Sequence, residues 1–181
     1  MDNFNVLAAV IERPDALSGD DISTDAWRSG LSGYALAALG TFVFFRMFSL
    51  IPPGILSFLV LLLFMLSADL LLAAVTHLFM ELTGAGGRAA RLFLAFGYAD
   101  FFLILLVPLG FFAKWHVLSA FWTFCLCAAL VIYARIVLVR RLYPVSANKA
   151  ALAVWLPYAA FMGLGIFGLS YFIVWLLWLV G

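Results

Sequence analysis

Charged side chains are scarce here: Asp, Glu, Lys and Arg together make up 10% of the 181 residues. A soluble domain normally carries roughly a quarter of its residues as charges. This chain cannot cover itself in that way, which excludes a water-exposed globule and leaves lipid as its solvent. Its ten Lys and Arg are scattered against nine Asp and Glu, so no basic face forms and nucleic acid is excluded as a partner. Cysteine is almost absent. Cys125 and Cys127 share one apolar run, which argues against a disulfide framework and reads as packing. Catalytic signatures are missing too: there is no G-x-S-x-G, no H-E-x-x-H and no kinase motif. The glycine-rich run Gly84-Ala85-Gly86-Gly87 has no following G-K-[ST] and no preceding strand pattern, so it reads as a flexible turn between helices. The first 33 residues are acidic and polar, without the basic start and apolar core of a cleaved leader, and read as a cytoplasmic tail.

What the chain has in abundance is apolar length. Hydrophobic residues make up 67% of it, and the mean hydropathy is +1.19. About 20 apolar residues are needed to cross the hydrocarbon core as a helix. Five runs meet that need, at residues 34–51, 55–82, 91–112, 117–139 and 150–180. Pro52-Pro53-Gly54, the glycine-rich turn, Ala113-Lys114-Trp115-His116 and the Tyr143-Pro144 step separate them. The runs are continuously apolar and do not alternate, which excludes a barrel. The expected fold is therefore all-α: a polytopic integral membrane protein with five transmembrane helices in residues 34–181. Pro157 and the glycines at 163, 165 and 168 are expected to bend or thin the last helix. Trp115, Trp175 and Trp178 fit interfacial anchors.

Loop charge sets the expected orientation. With the N-terminus inside, the inner loops carry Arg88, Arg91, Arg140, Arg141 and Lys149, Arg135 is near enough to snorkel inward, and the outer loops carry only Lys114. An N-in, C-out arrangement follows. In the tail, Phe4, Val6, Leu7, Val10 and Ile11 before Pro14 allow a short helix on the inner surface or a loosely held segment, with an acidic linker at residues 18–25.

Ionisable groups within a membrane are costly and by default suggest a function or a buried pair. Three stand out: Arg46, Asp69 and Asp100. At 1.5 Å per residue, Asp69 lies about 18 Å from Glu81, Asp100 about 14 Å from Arg91 and Arg46 about 18 Å from Tyr34. These comparable depths predict that Arg46 pairs with Asp69 or Asp100, either to fix helix register or to form a proton or ion relay. Asp69, His77 and Glu81, at i, i+8 and i+12, fall on one helix face as a polar ladder near the inner end. Two close ligands do not make a metal site, and neither metal nor cofactor is expected.

Two stretches carry a family resemblance. The segment Leu71-Leu72-Ala73-Ala74-Val75-Thr76-His77-Leu78 leads through Gly84-Ala85-Gly86-Gly87-Arg88 to Arg91-Leu92-Phe93-Leu94-Ala95-Phe96-Gly97-Tyr98-Ala99. Later, Arg141-Leu142-Tyr143-Pro144-Val145-Ser146 precedes Lys149 and a Leu156-Pro157 step. This order resembles the Yip1 domain family over residues 30–180, and Ile11-Glu12-Arg13-Pro14 resembles the segment before the first helix in bacterial members. Asp100 departs from the family pattern, which usually has a proline soon after Gly-Tyr-Ala; here Pro108 comes late. The resemblance implies five helices that associate with other membrane proteins or with themselves. The short tail points to a bacterial cytoplasmic (inner) membrane, where Rab GTPase partners do not arise. The leading expectation is a non-enzymatic membrane scaffold or accessory subunit. The second is a small ion- or proton-coupled transporter or channel using Asp69, Asp100 and Arg46, and a membrane enzyme ranks third.

Overall fold

The computed structural model describes residues 24–180. They form α1 (Thr24–Met47), α2 (Ile55–Leu82), α3 (Ala89–Asp100), a 3₁₀ segment (Phe101–Leu105), α4 (Leu106–Lys114), α5 (Ala120–Leu142) and α6 (Ala147–Val180). The described residues contain no strand. α3, the 3₁₀ segment and α4 make one continuous crossing, so five helices are long and apolar enough to span a membrane. The protein is an integral membrane protein of the all-α class. The expected interfacial helix in the tail lies outside the described residues.

Helix ends differ from the apolar runs for identifiable reasons. α1 begins ten residues before its run, because its polar first turns are compatible with helix; Ser32 Oγ, for instance, donates back to the Ser29 carbonyl at 2.8 Å. α1 also stops before its run does. Ile51 precedes Pro52 and is disfavoured in helical conformation, and residues 48–54 turn back instead, with Leu50 N donating to Phe45 O at 2.9 Å. The break between α3 and α4 lies upstream of Pro108, which has no amide to offer the Ile104 carbonyl.

α3 is the centre of the bundle. Leu92 and every residue from Leu94 to Asp100 are buried, and a helix buried all round must pack on several neighbours. α1 crosses it at glycines: a Cβ on Gly33 would strike the Gly97 backbone, and one on Gly97 would strike Gly30. Beside this crossing, Tyr34 Oη donates to the Phe93 carbonyl at 2.5 Å.

α6 runs unbroken through Pro157. A proline inside a helix leaves the carbonyl four residues earlier without its amide, here that of Ala153. Thr76 Oγ1 of α2 donates to that carbonyl at 3.3 Å, so a neighbouring helix supplies the missing bond, as apolar surroundings require. Beyond Tyr158 the packing stops. Every described side chain from Ala159 onward is exposed, and a Cβ at Gly163, Gly165 or Gly168 would meet open space.

The two ends of the bundle are distinct. At one, Lys149 Nζ donates to the Thr83 carbonyl at 2.8 Å, joining the glycine-rich turn to the α5–α6 link. At the other, Lys114 Nζ donates to the Met47 carbonyl at 2.8 Å. We refer to the first, which carries Arg88, Arg140, Arg141 and Lys149, as the basic end.

Candidate functional site: a buried carboxylate–arginine cluster

Asp69 and Asp100 both reach the interior, but Arg46 does not meet them. Their partner is Arg135 of α5. Its Nη2 donates to Oδ1 of Asp69 and to Oδ1 of Asp100, and its Nη1 donates to Tyr158 Oη at 2.7 Å. The guanidinium carbon also sits 4.5 Å from the centre of the Phe96 ring, in cation–π range. Asp69, Asp100 and Arg135 are 6%, 1% and 3% exposed, so water does not screen these contacts. One side chain thus ties α2, α3, α5 and α6 together near the middle of the bundle.

The expected Arg46 pairing is corrected on two counts. α1 starts well before residue 34, so counting depth from Tyr34 misplaced Arg46, which lies in the last turn at the end opposite the basic one. There its Nη1 donates to the Ile51 carbonyl at 2.9 Å and stabilises the turn after the helix. Arg135, expected to snorkel inward, instead points into the core. A sequence signal for this existed: Thr123, Cys127, Val131 and Arg135 recur every four residues, Leu138 and Val139 follow three and four residues later, and all share the buried face of α5. Arg135 is the charged member of an otherwise core-facing stripe. Cys127, in the same stripe, packs with Phe44 and Leu106 as a free thiol.

The ladder of Asp69, His77 and Glu81 divides in two. Asp69 belongs to the Arg135 cluster, whereas His77 and Glu81 belong to the basic end. His77 Nε2 lies 3.3 Å from Glu81 Oε1, and His77 Nδ1 shares a 2.7 Å hydrogen bond with Tyr143 Oη. Burial pushes the Tyr143 phenol up to about 12, with the Glu81 carboxylate adding to the effect. Gly87 lies against the Tyr143 ring, where a Cβ would collide with it, and Gly84 takes φ +81°. The glycine-rich turn is thereby a fitted cover over Tyr143 rather than a loose link. Among the described residues, no three His, Cys, Asp or Glu side chains converge as metal ligands do.

The backbones of α2 and α5 stay apart, and the Arg135–Asp69 contact bridges them. Between them lies a cleft of about 330 Å³, walled by apolar side chains that include Phe64, Phe124 and Ile132, with Asp69, Asp100, Arg135 and Tyr158 also lining it. Phe64 and Phe124 are exposed at its edges, on the lipid-facing side of the bundle. Two carboxyl groups share one guanidinium, so the cluster has a charge of −1 when both acids are ionised. Asp100 Oδ2 is buried and accepts no hydrogen bond among the described residues.

No family model, curated protein or solved structure matches this chain. The chemistry of the cluster and the shape of the bundle therefore carry the functional reading.

Proposed function

We propose that the chain is a non-enzymatic membrane scaffold or accessory subunit that docks other membrane proteins along the outer part of α6. The observation that carries this reading is the length and isolation of that helix. Its 34 residues span about 51 Å, against roughly 30 Å of hydrocarbon and 40–45 Å for a whole bilayer. Residues 159–180 supply about 33 Å of that length. Through Leu179 they remain apolar or aromatic, apart from the glycines and Ser170, whose hydroxyl is satisfied within the helix by the Ile166 carbonyl. An apolar stretch about as long as the hydrocarbon core is thick, and free of contacts with the other helices of its own chain, is well suited to lie against a neighbour. Its small residues Gly163, Gly165 and Gly168 permit close approach.

On this reading the basic end faces the cytoplasm, since Arg88, Arg140, Arg141 and Lys149 gather there and Lys114 stands at the other. The sequence resemblance to bacterial Yip1-type proteins supports this orientation and a location in the cytoplasmic membrane. Gentle extraction from the native membrane followed by mass spectrometry tests the proposal. Stoichiometric co-purifying membrane subunits are the expected result; a lone chain in every mild detergent would refute it.

A second reading, ion- or proton-coupled transport, is favoured by the charge cluster lying part-way through the membrane, with Arg135 replacing Arg46. Flux in proteoliposomes that Asp100→Asn abolishes would carry it. Intact flux in that variant would remove the cluster from any transport path.

A further inference from the structure

The cleft between α2 and α5 combines features that a register-fixing ion cluster does not need. A purely structural cluster is best sealed and neutral, since each unbalanced buried charge is costly. This one has two acids for one base. One carboxylate oxygen, Asp100 Oδ2, is left without a donor in a residue that is 1% exposed. The cluster also lines a cleft rather than a sealed core. The approach to that cleft is apolar and aromatic, from Phe64 and Met65 on α2 and Phe124 and Ile132 on α5. A ligand matched to such a site brings a positive hydrogen-bond donor at one end and hydrocarbon at the other.

We propose that this cleft binds a membrane-dissolved amphiphile with a primary ammonium head, its N–H groups directed to the Asp100 and Asp69 carboxylates and its chain lying along the aromatic walls. The volume, about 330 Å³, is at the small end of ligand sites, which suits one head group and a short chain. The net charge selects the sign: an ammonium brings the ionised cluster to neutrality, whereas a carboxylate head would meet two acids for one guanidinium. The donor count selects a primary amine, because Asp100 Oδ2 lacks an N–H or O–H partner that a quaternary nitrogen cannot supply. Entry from the bilayer avoids moving a charged head through the bundle, because the mouth of the cleft lies between the two helices. This inference is independent of the docking role of α6.

The test uses the full chain in phosphatidylcholine nanodiscs with radiolabelled decylamine, and empty nanodiscs as background. Decanol and decanoate, of the same chain length, serve as competitors. The expected result is saturable binding of one decylamine per chain, with decanol competing at least about tenfold more weakly, as loss of a charge-assisted hydrogen bond implies. Asp100→Asn weakens binding by about tenfold or more on the same basis. Ala128→Phe, which fills the cleft wall and leaves every charged group in place, abolishes it. Should Asp100→Asn fail to fold, Ala128→Phe and the amine–alcohol comparison still decide. Equal competition by decanol would reduce the cleft to an apolar slot. Preference for decanoate would make it an anion site on Arg135, and unchanged binding in Ala128→Phe would place the amine elsewhere. Any of these overturns the proposal.

Discussion

Removing Arg135 is expected to be far more damaging than removing either acid it binds. In Arg135→Gln the Asp69 and Asp100 carboxyls lose their shared donor while remaining 6% and 1% exposed. Breaking a buried ion pair by deleting one partner costs about 3–5 kcal/mol, because an uncompensated charge stays behind. Asp100→Asn works in the opposite direction: it leaves Asp69 and Arg135 as a matched pair. The amide oxygen can still accept from Nη2 and the new amide N–H faces the neighbouring Asp69 carboxylate, so the cost is that of one buried donor left over, about 1–2 kcal/mol. The double variant Asp69→Asn with Asp100→Asn strands the guanidinium and returns to the larger cost, about 3 kcal/mol. The assay is reversible unfolding in mixed micelles titrated with dodecyl sulfate, followed by tryptophan fluorescence. Stability should fall in the order wild type, then the single Asn variants, then the double variant, then Arg135→Gln. The reasoning is refuted if Arg135→Gln unfolds within about 1 kcal/mol of the wild type, the range of a surface ion pair.

Thr76→Val should lose about 1 kcal/mol, since the Ala153 carbonyl is then left unsatisfied. Adding Pro157→Ala, which restores the helical amide, should recover much of it, and additive losses in the double-mutant cycle would rule out that link. Gly97→Val should destabilise by about 1–3 kcal/mol through overpacking at the α1 crossing. Gly165→Ala, with open space around it, should stabilise α6 by up to about 1 kcal/mol, and equal effects at the two sites would contradict the packing described. Tyr143 gives a pH dependence. Its folded-state value of about 12 lies above the ordinary 10.0, so the folded protein holds the phenolic proton more tightly. That contribution is complete below pH 10 and is lost as pH rises through about 12. Stability measured across that window should fall more steeply for wild type than for Tyr143→Phe; parallel curves would place Tyr143 outside the folded contact.

The five spans were legible because apolar length is a direct consequence of lipid as solvent. The acids were legible for the same reason: Asp69 and Asp100 stand out inside runs whose other charges, Glu81 and Arg91, sit at the ends. Their partner was missed because depth was inferred from where the apolar run began, and α1 extends beyond its run on polar turns. Arg135 was misread because a position near Arg140 and Arg141 suggested the interface, although its spacing from Cys127 and Val131 marked it as core-facing. The Thr76 bond to Ala153 and the fit of Gly87 on Tyr143 depend on contacts between helices distant in sequence. Local pattern does not encode those contacts, and the same limit applies to the cleft between α2 and α5.

The most direct test of the docking role is photocrosslinking in the native membrane from a reactive side chain at Phe167 on α6. The same probe at Tyr133, which is 68% exposed on α5, is the control. The account predicts a discrete protein adduct from position 167 and only lipid adducts from position 133. Lipid adducts alone from position 167, or the same protein adducts from both positions, would contradict it.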